Sequence, residues 1–178
     1  MIEFKDIKVI AIDTDGVLTD GMFQIGEKDR TVTKSFYTRD FSMIEHAMKQ
    51  GIIVLIVTQS HDNAIRNQVN RIANHSDFWH NCITTRQLQI LMGVDNKRRE
   101  IETVLLHYEL GWENVAYIGD AENDLTCMKE ALFTGCPADA IDFIREESNY
   151  RSEHNGGRGA VYDFINHICN HIKLETNK

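Results

Sequence analysis

Short apolar runs rich in β-branched residues alternate along the chain with stretches whose apolar positions recur every three or four residues. That is the pattern of a parallel sheet joined by crossover helices. The runs fall at residues 7–12, 52–57 and 115–118, with a fourth at 131–134. Between them Met43, Ile44, Ala47 and Met48 form one helical stripe, and Ile101, Val104, Leu105 and Tyr108 form another. Both stripes are expected to lie on the sheet. Asp95 and Asn96 offer a cap for the second helix, and Gly111 a stop after it. Residues 21–37 break the rhythm, because Met22-Phe23-Gln24-Ile25 and Thr31-Val32-Thr33-Lys34-Ser35-Phe36 flank the turn-forming Gly26-Glu27-Lys28-Asp29. This predicts a β-hairpin leaving the first strand. Residues 74–91, polar at first and then apolar, read as an irregular insertion between a helix and a short strand.

Length and composition narrow the class. With 178 residues, 42% hydrophobic and 26% charged, a single domain over residues 1–178 is expected. Nineteen Lys and Arg against 27 Asp and Glu leave a net charge of -8, so there is no basic surface for nucleic acid. No apolar run approaches the ~18 residues of a membrane span, and Met1-Ile2-Glu3-Phe4-Lys5-Asp6 lacks the basic start of a secretory leader. A cytoplasmic protein without membrane contact is expected. Cys82, Cys127, Cys136 and Cys169 form no CxxC pair and sit among apolar neighbours, which indicates neither a disulfide frame nor a zinc knuckle.

The acids are where chemistry concentrates. Asp13-Thr14-Asp15-Gly16 ends the first strand, and open α/β sheets bind ligands at the C-terminal ends of their strands. Gly119-Asp120 ends the third strand in the same way, with Asp124 one helical turn further on. Carboxylates converging there repel one another unless neutralised, and an oxygen-only group suits Mg²⁺. Taken singly, each residue has a plainer reading: Asp13 as a strand-end cap, Thr58 as a β-branched strand residue, Lys97 as the start of a solvated Lys97-Arg98-Arg99 face, Asp124 as a surface acid. His167 and His171, with Cys169 nearby, read as a solvated pair on a polar helix face. His75, His80 and Cys82 have no closing fourth ligand, and Trp79 and Trp112 are too isolated for base stacking.

Asp13-Thr14-Asp15-Gly16-Val17-Leu18-Thr19-Asp20-Gly21 resembles the first motif of the haloacid dehalogenase (HAD) superfamily, in the form DxDGVLTDG. Thr58 falls at the second motif, Lys97 at the third, and Gly119-Asp120 with Asp124 at the fourth. The hairpin and Gly156-Gly157-Arg158-Gly159-Ala160-Val161 narrow the resemblance to a small capless group. That group contains 3-deoxy-D-manno-octulosonate 8-phosphate phosphatase and the acylneuraminate or deaminoneuraminate 9-phosphate phosphatases. The resemblance implies a Rossmann-like HAD fold with a hairpin flap and no cap domain. It also implies a homotetramer assembled by the hairpins, with the glycine-rich tail reaching towards a neighbouring subunit's site.

The chemistry implied is hydrolysis of a phosphorylated small molecule. Asp13 would attack phosphorus and Asp15 serve as acid and then base. A bend at Gly16 is needed to bring Asp15 over the site. Asp13, the backbone carbonyl of Asp15 and Asp120 would hold Mg²⁺, with Asp124 ordering a bound water, while Thr58 and Lys97 bind phosphate. Arg39-Asp40 lies in the segment resembling the group's substrate loop. Four departures bear on activity and specificity: Ala121 replaces an acid near the metal, Gln59-Ser60 replaces Gly and a charged residue, Phe41 replaces glycine, and Glu45 stands where octulosonate-phosphate phosphatases carry arginine. An anion at Glu45 would repel a substrate carboxylate, which disfavours 3-deoxy-octulosonate 8-phosphate relative to nonulosonate 9-phosphates. Two other readings stand beside this one: a HAD phosphatase for an unrelated small phosphoester, and a non-catalytic assembly module like the HAD-type domain appended to some nonulosonate cytidylyltransferases.

Overall fold

A computed structural model describes residues 2–28 and 31–177; Met1 of the expected leaderless start and Asp29 of the expected turn lie outside them. Six parallel strands form the central sheet in the order β5-β4-β1-β6-β7-β8. They are β1 (Val9–Asp13), β4 (Ile53–Thr58), β5 (Leu88–Met92), β6 (Val115–Ile118), β7 (Phe133–Cys136) and β8 (Tyr150–Arg151). Helices cover both faces because side chains alternate along a strand. Ile10, Ile12, Val54, Ile56, Ala116 and Ile118 enter one core; Val9, Ala11, Leu55, Val57, Val115 and Tyr117 enter the other.

The first core is covered by α1 (Thr38–Lys49), α2 (Ala64–Ala73), α3 (Asp77–Thr84) and α7 (Ala160–Thr176). The second is covered by α4 (Lys97–His107), α5 (Leu125–Met128) and α6 (Asp142–Glu147). The two expected stripes therefore lie on opposite faces of the sheet. Asn96 caps α4 by accepting the Arg99 amide at 3.0 Å, but Gly111 is not its stop. The chain turns instead at Glu109, whose φ of 56° lets the Leu110 amide reach back to the Leu105 carbonyl at 3.0 Å. Residues 74–91 are not an irregular insertion. They form α3, started by Ser76 accepting the Trp79 amide, and then the edge strand β5. The fourth expected strand lies two residues further on, as β7.

Between β1 and α1 the chain makes the hairpin of β2 (Gln24–Ile25) and β3 (Val32–Thr33), paired antiparallel. Met22, Phe23, Ile25 and Val32 on it are exposed. Among the described residues no helix is long and apolar enough to cross a membrane.

Candidate active site

Because β4, β1 and β6 are adjacent and parallel, Thr58, Asp13 and Asp120 are delivered to one edge of the sheet. The turn that the sequence requires is present: Gly16 has a φ of +89°, which L side chains rarely adopt. A methyl group there would also meet Asp120 Oδ2 at 2.1 Å, so this glycine makes room for the opposite carboxylate.

Asp13, Asp120 and Asp124 each bring a carboxylate oxygen within 4.8 Å of the other two. Lys97, the first residue of α4, is buried among them and donates to Asp13 Oδ1 at 2.6 Å and Asp124 Oδ1 at 2.7 Å. Burial works against its charge, but Asp13 and then Asp124 hold the ammonium above its ordinary pKa. One lysine does not neutralise three acids. Burial, reinforced by the charge of Asp124, raises Asp13 well above the usual carboxylate range and Asp120 to about 6. Asp120 Oδ1 is buried with no hydrogen-bond partner. A divalent, oxygen-seeking cation fits that deficit in charge and in donor chemistry.

Asp124 is fully buried and satisfied by protein. Tyr117 Oη donates to its Oδ1 at 2.6 Å, and the Asp120 and Ala121 amides donate to Oδ2 at 2.9 and 3.1 Å. With the Lys97 bond this makes four donors, which tie Asp124 to Lys97 and to the Asp120 turn beside the other two acids. Ala121 takes part through its backbone amide alone. Thr58 is buried at the end of β4 and its Oγ1 accepts the Ser60 amide at 3.0 Å. Gln59 accepts from Asn123 Nδ2 at 2.8 Å, joining the loops after β4 and β6.

The Asp15 carboxylate stands apart from the acidic cluster. Thr19 Oγ1 approaches it at 3.3 Å, and Lys34 from the hairpin donates to Oδ1 and Oδ2 at 2.7 and 2.9 Å. Lys34 and Tyr117 are the two residues that sequence reasoning missed. Tyr117 carried a signal, since a hydroxyl inside the apolar run Val115-Ala116-Tyr117-Ile118 needs a partner at its tip. Lys34, between Thr33 and Ser35, looks like an ordinary solvent-facing hairpin position.

Other expectations need correction. Arg39 and Asp40, both expected to bind substrate, differ in setting: Arg39 is exposed, while Asp40 is fully buried in the first turn of α1. Helix α7 begins after Gly159, which has no side chain to cap it, and Asp40 Oδ1 supplies the acceptor for the Tyr162 amide at 2.8 Å. Asp40 Oδ2 is buried and unpartnered, and burial pushes the carboxyl up to about 7. Glu45 is not an unpaired anion, because it accepts from Lys49 at 2.5 Å and from Trp79 Nε1 at 2.7 Å. The repulsion argued against octulosonate phosphates loses its footing. Phe41 packs its ring against Phe36 and Trp79 as core. The segment 156–159, expected to reach towards a neighbouring subunit's site, also has a place within its own chain, against the loop after β1. The Gly157 amide donates to the Val17 carbonyl at 2.9 Å, and a Cβ on Gly156 would lie 1.9 Å from the Gly16 carbonyl oxygen. His167 and His171 are not a solvated pair. They stack with Phe4, Phe133 and Tyr150 where α7 meets the N-terminal segment.

The sequence profile of the haloacid dehalogenase-like hydrolases matches residues 53–165. The chain belongs to this family. Over its full length it is 27% identical to 85% of the 3-deoxy-D-manno-octulosonate 8-phosphate phosphatase KdsC of Salmonella typhi. It is also 26% identical, over 91% of its length, to a part amounting to 35% of N-acylneuraminate cytidylyltransferase A of Danio rerio. Among solved structures it resembles 3-deoxy-D-manno-octulosonate 8-phosphate phosphatase from Moraxella catarrhalis, crystallised in complex with magnesium ion, phosphate ion and KDO. The TM-score is 0.80 and the identity 28%, over 95% of this chain and 89% of that one. The chain is a HAD hydrolase, and the phosphatases that match along its length place it among the phosphatases of the family.

Proposed function

We propose that this chain is a Mg²⁺-dependent phosphomonoester hydrolase that acts on a phosphorylated sugar acid, of the octulosonate 8-phosphate or nonulosonate 9-phosphate type, through an aspartyl-phosphate. The observation that carries this reading is the buried set of Asp13, Asp120 and Asp124 around a single lysine, with one oxygen of Asp120 left without a partner. Likeness to KdsC, and to a relative holding magnesium, phosphate and KDO, supports the ion and the substrate class.

Phosphate monoesters resist attack because their anionic oxygens repel a nucleophile, so the site must gather positive charge and align the attack. Asp13 is the nucleophile, held by its bond to Lys97 at the end of a rigid strand. Asp13, the Asp15 carbonyl and Asp120 would hold Mg²⁺, which when bound screens Asp13 from the incoming phosphate and stabilises charge on the transferring group. Lys97 contributes a fixed positive charge and Thr58 a hydroxyl to the phosphate oxygens. Asp124 does not touch substrate; it keeps Lys97 and the Asp120 turn in place. Asp15 protonates the departing alkoxide and then takes a proton from the water that hydrolyses the phosphoenzyme. Arg39, exposed at the start of α1 with no ion-pair partner among the described residues, is free to meet a substrate carboxylate. The exposed Met22, Phe23, Ile25 and Val32 on the hairpin support assembly into a homotetramer, which sedimentation tests.

Likeness to part of a cytidylyltransferase favours a second reading, a non-catalytic module. Hydrolysis of p-nitrophenyl phosphate with and without Mg²⁺, by the parent and by Asp13→Asn, separates the two. Activity that needs both Mg²⁺ and Asp13 is expected, and no activity, or equal activity in both proteins, rejects the phosphatase reading. A panel of octulosonate and nonulosonate phosphates then identifies the substrate.

A further inference from the structure

Lys34 leaves the base of an exposed hairpin, yet its side chain is only 4% exposed. Its ammonium donates to both oxygens of Asp15, at 2.7 and 2.9 Å, and pairs with Asp62 Oδ2 at 2.6 Å. The ring of Phe23 lies 6.0 Å away on the hairpin's other arm. Asp62 is itself anchored, accepting the Ala64 amide at 2.9 Å at the start of α2 and bonding the Ser60 hydroxyl. One buried ammonium thus ties the far end of the hairpin back to the loop after β1 that leads into it, and ties both to the loop after β4.

Aspartate has a short side chain whose carboxyl plane rotates freely unless both oxygens are engaged. A general acid must present its proton along one direction, towards the leaving oxygen. We propose that Lys34 is a positioning residue, whose two-point contact fixes the Asp15 carboxyl plane and whose bond to Asp62 makes that orientation depend on the hairpin being seated. The inference rests on the reading of Asp15 as the acid. In a chain whose described residues include no separate cap, it gives the hairpin a catalytic consequence within its own subunit. Substrates with poor leaving groups, such as alkyl and sugar esters, depend on it most, because a nitrophenolate departs without a proton.

The test compares p-nitrophenyl phosphate with β-glycerophosphate, in Mg²⁺, for the parent, Lys34→Met, Lys34→Arg and Asp15→Asn. The quantity read is kcat/KM, which reports steps up to release of the alcohol and excludes later hydrolysis of the phosphoenzyme. Lys34→Met is expected to lose about 100-fold on the alkyl ester and no more than about 5-fold on the aryl ester, within the range of general acid catalysis. Lys34→Arg is expected to recover most of the alkyl rate. Equal losses on both esters, or an unchanged alkyl rate, overturn the proposal. Asp15→Asn separates the two levels: if it lacks the leaving-group split, the acid assignment fails, and if it shows the split while Lys34→Met does not, only the role of Lys34 fails. Should Lys34→Met not fold, Asp62→Asn removes the anchor alone; a smaller split of the same sign supports the proposal and no split overturns it.

Discussion

Asp40 ties the start of α1 to the start of α7, and its burial makes folding depend on pH in a defined direction. In the unfolded chain its carboxyl titrates near 3.8, whereas burial in the folded protein raises it to about 7. The folded state therefore keeps a proton that the unfolded state has lost. The stabilisation is fully present below pH 3.8 and is lost as pH rises to about 7. At about 1.36 kcal/mol per pH unit, the rise from 3.8 to about 7 corresponds to about 4 kcal/mol. Asp40→Asn keeps the acceptor for the Tyr162 amide and removes the charge. Its stability relative to the parent, from urea denaturation at a series of pH values between 4 and 8, is expected to improve steadily with pH by that amount and to level off above pH 7. Taking the difference between the two proteins cancels the titration of the metal-site acids. A difference that does not change with pH would refute the reasoning.

Gly16→Ala is expected to abolish Mg²⁺-dependent activity with the circular dichroism of the fold retained, since its methyl group would strike the Asp120 carboxylate. Lys97→Met leaves Asp13 and Asp124 buried without their cation, so urea denaturation in chelator should show a loss of about 3–5 kcal/mol. Added Mg²⁺ should return part of it. Phe4→Ala removes the ring packed against Phe133 and His171, which should cost about 3 kcal/mol and loosen the far end of α7 first, as hydrogen exchange would show.

The central sheet was legible because β1, β4 and β6 are buried on both faces and read as unbroken apolar runs. The edge strands were harder. β5 is only partly covered and carries a glutamine, and β8 has two residues, so neither contrasts with its surroundings. Helix α3 had a signal in Ser76, whose hydroxyl caps it, but its eight residues are too few for a period to show. The acids of the site were legible from their places at strand ends, since nothing else explains Asp13 and Asp120 there. What they touch was not. The Lys34–Asp15 bond spans 19 residues and the Asp40–Tyr162 bond 122, and no local pattern encodes either. Asp40 and Glu45 show the converse: residues at positions resembling a substrate loop were taken by the needs of helix capping and indole pairing.

The most direct test of the account is to trap the phosphoenzyme. Rapid acid quench during turnover, borohydride reduction and peptide mass spectrometry convert an acyl phosphate to homoserine at the residue that carried it. Homoserine is expected at Asp13 and nowhere else, dependent on Mg²⁺. Turnover without any reduced aspartate, or reduction at Asp15 or Asp120, would contradict it.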